Sequence, residues 1–131
     1  KAEILAGRSM HLNFPEYRFL TSAIVGGICP IGVGLAMAIK RRGETGKVWC
    51  FIGDMAFETG IAHESIKYAQ SFDLPVFFVI EDNGFSTDTP TEEVWGRCNV
   101  LGYRQWRVGE VLRYRYTRTW PHVGCGQWVH F

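Results

Sequence analysis

The sequence predicts an α/β domain built around a parallel β-sheet. Three observations carry this. Val48–Ile52 (VWCFI) and Val76–Ile80 (VFFVI) are short, continuous apolar runs bounded by turn residues, the pattern of strands buried in a parallel sheet. Between them, Gly60 to Ala69 has helical spacing, with Ile61, Glu64, Ser65 and Tyr68 along one side. Strand, helix and strand over the 33 residues from Val48 to Ile80 make a βαβ unit, with a right-handed crossover and parallel strands.

The other elements follow in chain order. Residues 1 to 22 are irregular and read as loop. Pro30 to Arg41 is helical, with Ile31, Leu35, Ala38 and Ile39 on one face and Gly32, Gly34 and Ala36 permitting close contact. Pro30 suits the first turn, where its missing N–H costs nothing. Gly43 to Gly46 ends that helix, and Asp73-Leu74-Pro75 ends the next. After Thr91 the pattern weakens: Glu92 to Gly102 reads as a short helix, Gln105 to Tyr116 as a strand, and the Gly-rich tail from Val123 as extended. There are no internal repeats and no linker, so residues 1–131 are expected to form one domain.

Composition excludes several functions. The chain is 47% hydrophobic and 21% charged with net charge +1, which gives no bulk electrostatic case for nucleic acid or an acidic membrane. Lys40-Arg41-Arg42 is followed by Glu44 and reads as a solvated helix end. The apolar stretch from Ala23 to Ile39 holds Gly26, Gly27, Pro30, Gly32 and Gly34, too many breakers for a spanning helix. The chain opens on Lys1-Ala2-Glu3, without a basic-then-apolar leader or an initiator Met, and reads as a fragment or a processed chain. Cys29, Cys50, Cys98 and Cys125 form no C-x-x-C pair and have no His at zinc spacing. Cys29 and Cys50 read as small buried hydrophobes, which fits a cytoplasmic setting. Aromatic residues after Trp95 suggest a partner surface.

The chemistry lies where the two central strands end. Asp54 and Asn83 stand 29 residues apart, each just beyond an apolar run. The carboxyl ends of parallel strands share one sheet edge, where ligands bind in open α/β folds, so the two side chains can converge there. A carboxylate, an amide oxygen and a nearby backbone carbonyl suit Mg²⁺, which completes its octahedron with water and phosphate oxygens. Gly53 lets the backbone approach a phosphate, and a helix beginning near Gly60 turns N–H groups toward the crevice. On pattern alone the two residues fit either a metal-diphosphate site or ordinary turn and cap positions.

The flanking residues narrow this. Gly53-Asp54 with the later Asn83 resembles the thiamine-diphosphate fingerprint, Gly-Asp-Gly and a following Asn. Ser9-Met10-His11, Ile24 to Gly34, Gly53 to Ala56, Gly60 with Glu64, and Glu81 to Phe85 fall in the order seen in the alpha subunit of 2-oxo acid dehydrogenases of the pyruvate, branched-chain and acetoin type. The resemblance covers roughly residues 4 to 91, and 92–131 diverge. It implies a parallel-sheet thiamine-diphosphate-binding fold, reduced in size. By resemblance, Asp54 and Asn83 bind Mg²⁺ through side chains and Phe85 through its carbonyl. Gly53, Met55 and Ala56 lie against the diphosphate, and Ala23 and Val25 line the aminopyrimidine. Thr87 sits under the bent cofactor, and His11 and Glu64 lie around the active-site channel. His122 corresponds to a late Tyr-Arg…His segment that reaches diphosphate or substrate.

Departures matter as well. Met55 stands where the fingerprint has Gly, and Thr87 where a larger apolar residue is usual. The chain is much shorter than a family alpha subunit. In the family the Glu that activates the pyrimidine ring belongs to a beta subunit or a second domain. The resemblance therefore implies a beta-like partner, a hetero- or homo-oligomer, and decarboxylation of a small 2-oxo acid with acyl transfer. Two alternatives stay open: a transketolase-like subunit transferring ketol units from a ketose, and a degenerate assembly module without cofactor.

Overall fold

The computed structural model of the chain describes residues 2–6, 8, 10–96 and 111–122. Its elements are helix α1 (Ala2–Leu5), strand β1 (Asn13–Phe14), a 3-10 turn (Pro15–Tyr17), β2 (Phe19–Leu20), α2 (Ile28–Arg41), β3 (Val48–Gly53), α3 (Asp54–Phe57), α4 (Gly60–Ser71), β4 (Val76–Asp82), β5 (Phe85–Ser86), β6 (Thr89–Pro90), α5 (Thr91–Trp95) and β7 (Val111–Arg115). The predicted βαβ unit is β3–α4–β4. The two strands pair in parallel from Val48 opposite Val76 to Gly53 opposite Glu81. β7 adds a third parallel strand on the far side of β4, with Ile80 opposite Arg113 and Asp82 opposite Arg115.

One core holds the sheet to its helices. Cys29, Val33 and Ala36 of α2 and Ala62, Ile66 and Ala69 of α4 pack on Cys50, Ile52, Phe78 and Ile80. Removing such side chains from water is what stabilises the layer, at about 25 cal/mol per Å² of apolar surface. α2 approaches β3 closely: a methyl group at Gly32 would lie 3.6 Å from Cys50 Cβ. The face turned to the sheet is the one bearing small residues. The buried residues of α2 are therefore Cys29, Gly32, Val33 and Ala36, not the predicted Ile31–Leu35 face, and Ile31 and Leu35 are 42% and 51% exposed. α4 buries Ala62, Ser65, Ile66 and Ala69. Of its predicted side only Ser65 is buried, its hydroxyl donating to the Ile61 carbonyl at 2.7 Å.

The sheet is covered on one face by the described helices. Along β3, Cys50 and Ile52 face the core while Trp49 and Phe51 are more than half exposed. On that open face the Trp49 and Phe77 rings lie 5.0 Å apart. Val79 is buried there between its register partners Phe51 and Leu112.

The first 22 residues are not all loop. α1 is followed by a small antiparallel hairpin, Asn13 opposite Leu20 and Phe14 opposite Phe19, with the Phe14 and Phe19 rings stacked at 6.4 Å. A second hairpin pairs β5 with β6. The helix expected over 92–102 is α5 in its described part, and the strand expected over 105–116 is β7. Residues 97–110 and 123–131, with Cys98, Cys125 and the predicted tail, lie outside the described residues. Cys29 and Cys50 are buried, as expected. Among the described residues no helix is long and apolar enough to cross a membrane, and α2, which begins at Ile28 within the apolar stretch, has 14 residues.

Candidate functional site

Parallel pairing brings the ends of β3 and β4 to one edge. β3 ends at Gly53, whose backbone is still extended (φ −72°, ψ 160°), and the chain turns at once into α3 with Asp54 as its first residue. A turn of helix starting at Asp54 was not foreseen; the expected helix at Gly60 follows separately as α4. The start of α4 is covered instead by the loop before α2. Gly26 has φ +73°, and a methyl group there would come within 2.5 Å of Ile61 Cγ2. Both demands, positive φ and close approach, require glycine at this point.

After β4 the chain turns through two side-chain-to-backbone bonds. Asp82 Oδ1 accepts from the Gly84 N–H at 3.1 Å, and Asn83 Oδ1 accepts from the Phe85 N–H at 2.8 Å. Asp and Asn commonly brace turns in this way. Asp82 Oδ2 accepts from Arg113 of β7 at 2.6 Å, and Asn83 Nδ2 donates to the Tyr116 hydroxyl at 3.1 Å. The neighbouring Tyr114 hydroxyl donates to Glu81 Oε1 at 2.6 Å, and that bond holds the phenol above its ordinary range.

Two cavities flank this turn. One, of about 620 Å³, is lined by Asp54, Asp82, Asn83, Gly84, Phe85, Pro90, Thr91, Glu92, Arg113 and Arg115. The three predicted metal residues, Asp54, Asn83 and Phe85, thus line one cavity. Asp54 is 1% exposed; its Oδ2 accepts from the Thr91 hydroxyl at 2.5 Å, and its Oδ1 is buried without a hydrogen-bond partner. The second cavity, of about 460 Å³, shares Asn83 and Phe85 and adds Ser86, Thr87, Tyr116, Arg118, Thr119, Trp120 and His122. The Arg118 guanidinium lies 4.8 Å from the Phe85 ring centroid, close enough for a cation–π contact.

The sequence profile of the dehydrogenase E1 component matches residues 3–97, most of the chain. The chain belongs to that family. It is 39% identical over 84 residues to the pyruvate dehydrogenase E1 component subunit alpha of Zymomonas mobilis, covering 63% of this chain and 24% of the relative. The Rickettsia prowazekii protein of the same name is 35% identical over 95 residues, covering 72% of this chain and 29% of the relative. A probable mitochondrial pyruvate dehydrogenase E1 component subunit alpha of Caenorhabditis elegans is 37% identical over 86 residues, covering 66% and 21%. The chain spans about a quarter of the length of these relatives.

Within this family member the other predicted residues are spread out. Gly53, Met55 and Ala56 flank Asp54 at the junction of β3 and α3. Thr87 and His122 line the second cavity. Ala23 and Val25 are exposed in the loop before α2, His11 is exposed before the first hairpin, and Glu64 is exposed on α4; these four line neither cavity. Sequence reasoning missed Thr91, Asp82 and Arg113 as cavity residues, and read Arg115 either as a charge for a phosphate or as a solvated strand position. Asp82 was adjacent to a predicted ligand and open to inspection. The arginines depend on the register of β7 against β4, which has no local signal.

Proposed function

We propose that the chain is a thiamine-diphosphate- and Mg²⁺-binding component of a 2-oxo acid dehydrogenase-type enzyme, acting with a beta-like partner in decarboxylation and acyl transfer. One observation carries this reading: the buried Asp54, which lines one cavity with Asn83 and Phe85, keeps an unpartnered carboxylate oxygen. A carboxylate oxygen held from water without a donor lacks a counter-charge, and a cation supplies one. Asp82 does not compete, because Gly84 and Arg113 engage both its oxygens. The Asn83 amide oxygen accepts one N–H and keeps a second lone pair.

The donor set fits the group. Asp54, Asn83 and the Phe85 carbonyl would hold Mg²⁺, leaving positions for diphosphate and water oxygens. Gly53, Met55 and Ala56 would lie against the diphosphate, and Arg115 on the same cavity wall offers it a positive charge. Thiamine diphosphate, when bound, supplies the electron sink for cleaving a bond next to a carbonyl. The protein's part is orientation, charge and exclusion of water. His122 is the candidate proton carrier that lines the cavity sharing Asn83 and Phe85, where Trp120 and Phe85 present aromatic surface. Roles for His11 and Glu64 at the channel, for Ala23 and Val25 at the aminopyrimidine and for Thr87 under the bend rest on the order of the sequence blocks. The pyrimidine-activating Glu would come from the partner in a hetero- or homo-oligomer. The substrate class is a small 2-oxo acid, and the setting is a reducing cytoplasm, with no role for nucleic acid or membrane.

Calorimetry with thiamine diphosphate, Mg²⁺ and a beta-like partner tests the reading. Binding heat is expected for the wild-type chain and none for Asp54→Ala. Absence of heat from wild type, or an unchanged Asp54→Ala, overturns it.

A further inference from the structure

Thr91 is buried (5% exposed) at the first position of α5, and its hydroxyl donates to Asp54 Oδ2 at 2.5 Å across a separation of 37 residues. It is fixed from behind as well, because its N–H donates to the Gly84 carbonyl at 2.9 Å. One residue therefore ties the Asp54 carboxylate to the turn that carries Asn83. Of the two Asp54 oxygens, Thr91 engages one and the other is unpartnered.

We propose that Thr91 is a positioning residue that sets the cation selectivity of this site, by occupying Asp54 Oδ2 so that the carboxylate offers one oxygen and not two. The inference rests on the reading of Asp54 as a cation ligand. Ca²⁺ takes six to eight oxygens in flexible geometry and readily uses both oxygens of a carboxylate, whereas Mg²⁺ demands a near-ideal octahedron. A carboxylate restricted to one oxygen favours the small octahedral ions, Mg²⁺ and Mn²⁺, over Ca²⁺. Removing the hydroxyl frees Oδ2 for the cation and relaxes that preference. A hydroxyl that merely braced the fold would weaken all cations alike when lost.

The test uses the full chain with its beta-like partner and thiamine diphosphate, Mn²⁺ read by paramagnetic resonance and Ca²⁺ by competition. Thr91→Val keeps the shape and deletes the donor. It is expected to weaken Mn²⁺ by about 10–100-fold, as loss of a residue orienting a ligand does. Ca²⁺ binding should change far less, so that the Mn²⁺/Ca²⁺ preference falls by about tenfold or more. Thr91→Ser should restore wild-type preference. If Thr91→Val does not fold, judged by melting of the metal-free protein, Thr91→Cys carries the same expectation through its weak donor. An unchanged preference in the folded variant, whether both ions weaken equally or neither does, overturns the proposal and leaves the site reading standing. A wild-type chain that binds neither ion overturns both.

Discussion

Arg113 of β7 grips Asp82 at the end of β4 through two nitrogens on one carboxylate oxygen, Nε at 2.8 Å and Nη2 at 2.6 Å from Oδ2. The pair sits one residue before Asn83 and fixes the strand end from which the candidate site is built. The Asp82 side chain is 8% exposed and that of Arg113 26%. Arg113→Met would leave a buried carboxylate without its cation. The expected loss is about 3 kcal/mol in urea denaturation, the lower end for broken buried pairs because the arginine is partly solvated. Adding Asp82→Asn, which keeps the acceptor for Gly84, should recover much of it. A loss below about 0.5 kcal/mol, typical of surface changes, would mean the pair is dispensable.

Thr87, in the turn between β5 and β6, has φ +54°. For a β-branched residue this left-handed conformation is strained, at a cost of about 1–2 kcal/mol. Arg118 holds the conformation by donating Nη1 to the Thr87 carbonyl. Thr87→Gly removes the strain and adds chain entropy worth about 0.5–1 kcal/mol to the unfolded state. A net gain of roughly 0.5–1 kcal/mol in thermal or urea stability is therefore expected. A loss instead would show that contacts of the Thr87 side chain outweigh the strain.

Cys29 on α2 and Cys50 on β3 form a buried thiol pair. The bond from Cys50 draws the Cys29 thiol below its ordinary range against the opposing effect of burial, and the bond to Cys29, with burial, pushes Cys50 far up. The depressed Cys29 contributes stability above its unfolded pKa, and this is lost as pH falls through the folded value. The raised Cys50 contributes below its unfolded pKa, and this is lost as pH rises. The Cys29 proton should thus leave before that of Cys50. Cys50→Ala removes the donor, and burial then raises the Cys29 thiol against the smaller lowering effect of its backbone hydrogen bond. Thiolate absorbance against pH should show the Cys29 midpoint moving up; a midpoint that stays put would mean that the two thiols titrate independently.

The βαβ unit was legible because apolar runs of strand length, a helical stretch and a Pro-containing break are all local signals. So was the meeting of Asp54 and Asn83, which follows from parallel strands sharing an edge. The helix faces were not. Periodicity alone favoured Ile31 and Leu35, but the side that packs on the sheet bears Cys29, Gly32, Val33 and Ala36. Thr91 reads in sequence as a polar residue near a helix start. Its partner Asp54 lies 37 residues away, and only tertiary packing pairs the two.

Met55 sharpens that contrast between local rule and tertiary outcome, since it stands where the related fingerprint carries glycine. Its backbone lies within α3, and the described non-glycine residues with positive φ are Arg18, Asp73 and Thr87. No backbone conformation therefore requires glycine at position 55. Met55→Gly leaves the backbone N–H in place and removes a side chain that is half-buried. It should lower stability by about 1 kcal/mol through helix propensity. It should change thiamine diphosphate affinity by less than tenfold, about 1.4 kcal/mol. Thermal denaturation and calorimetry with Mg²⁺ present read the two effects separately. A larger gain in affinity would identify the Met55 side chain as an obstruction at the cofactor site.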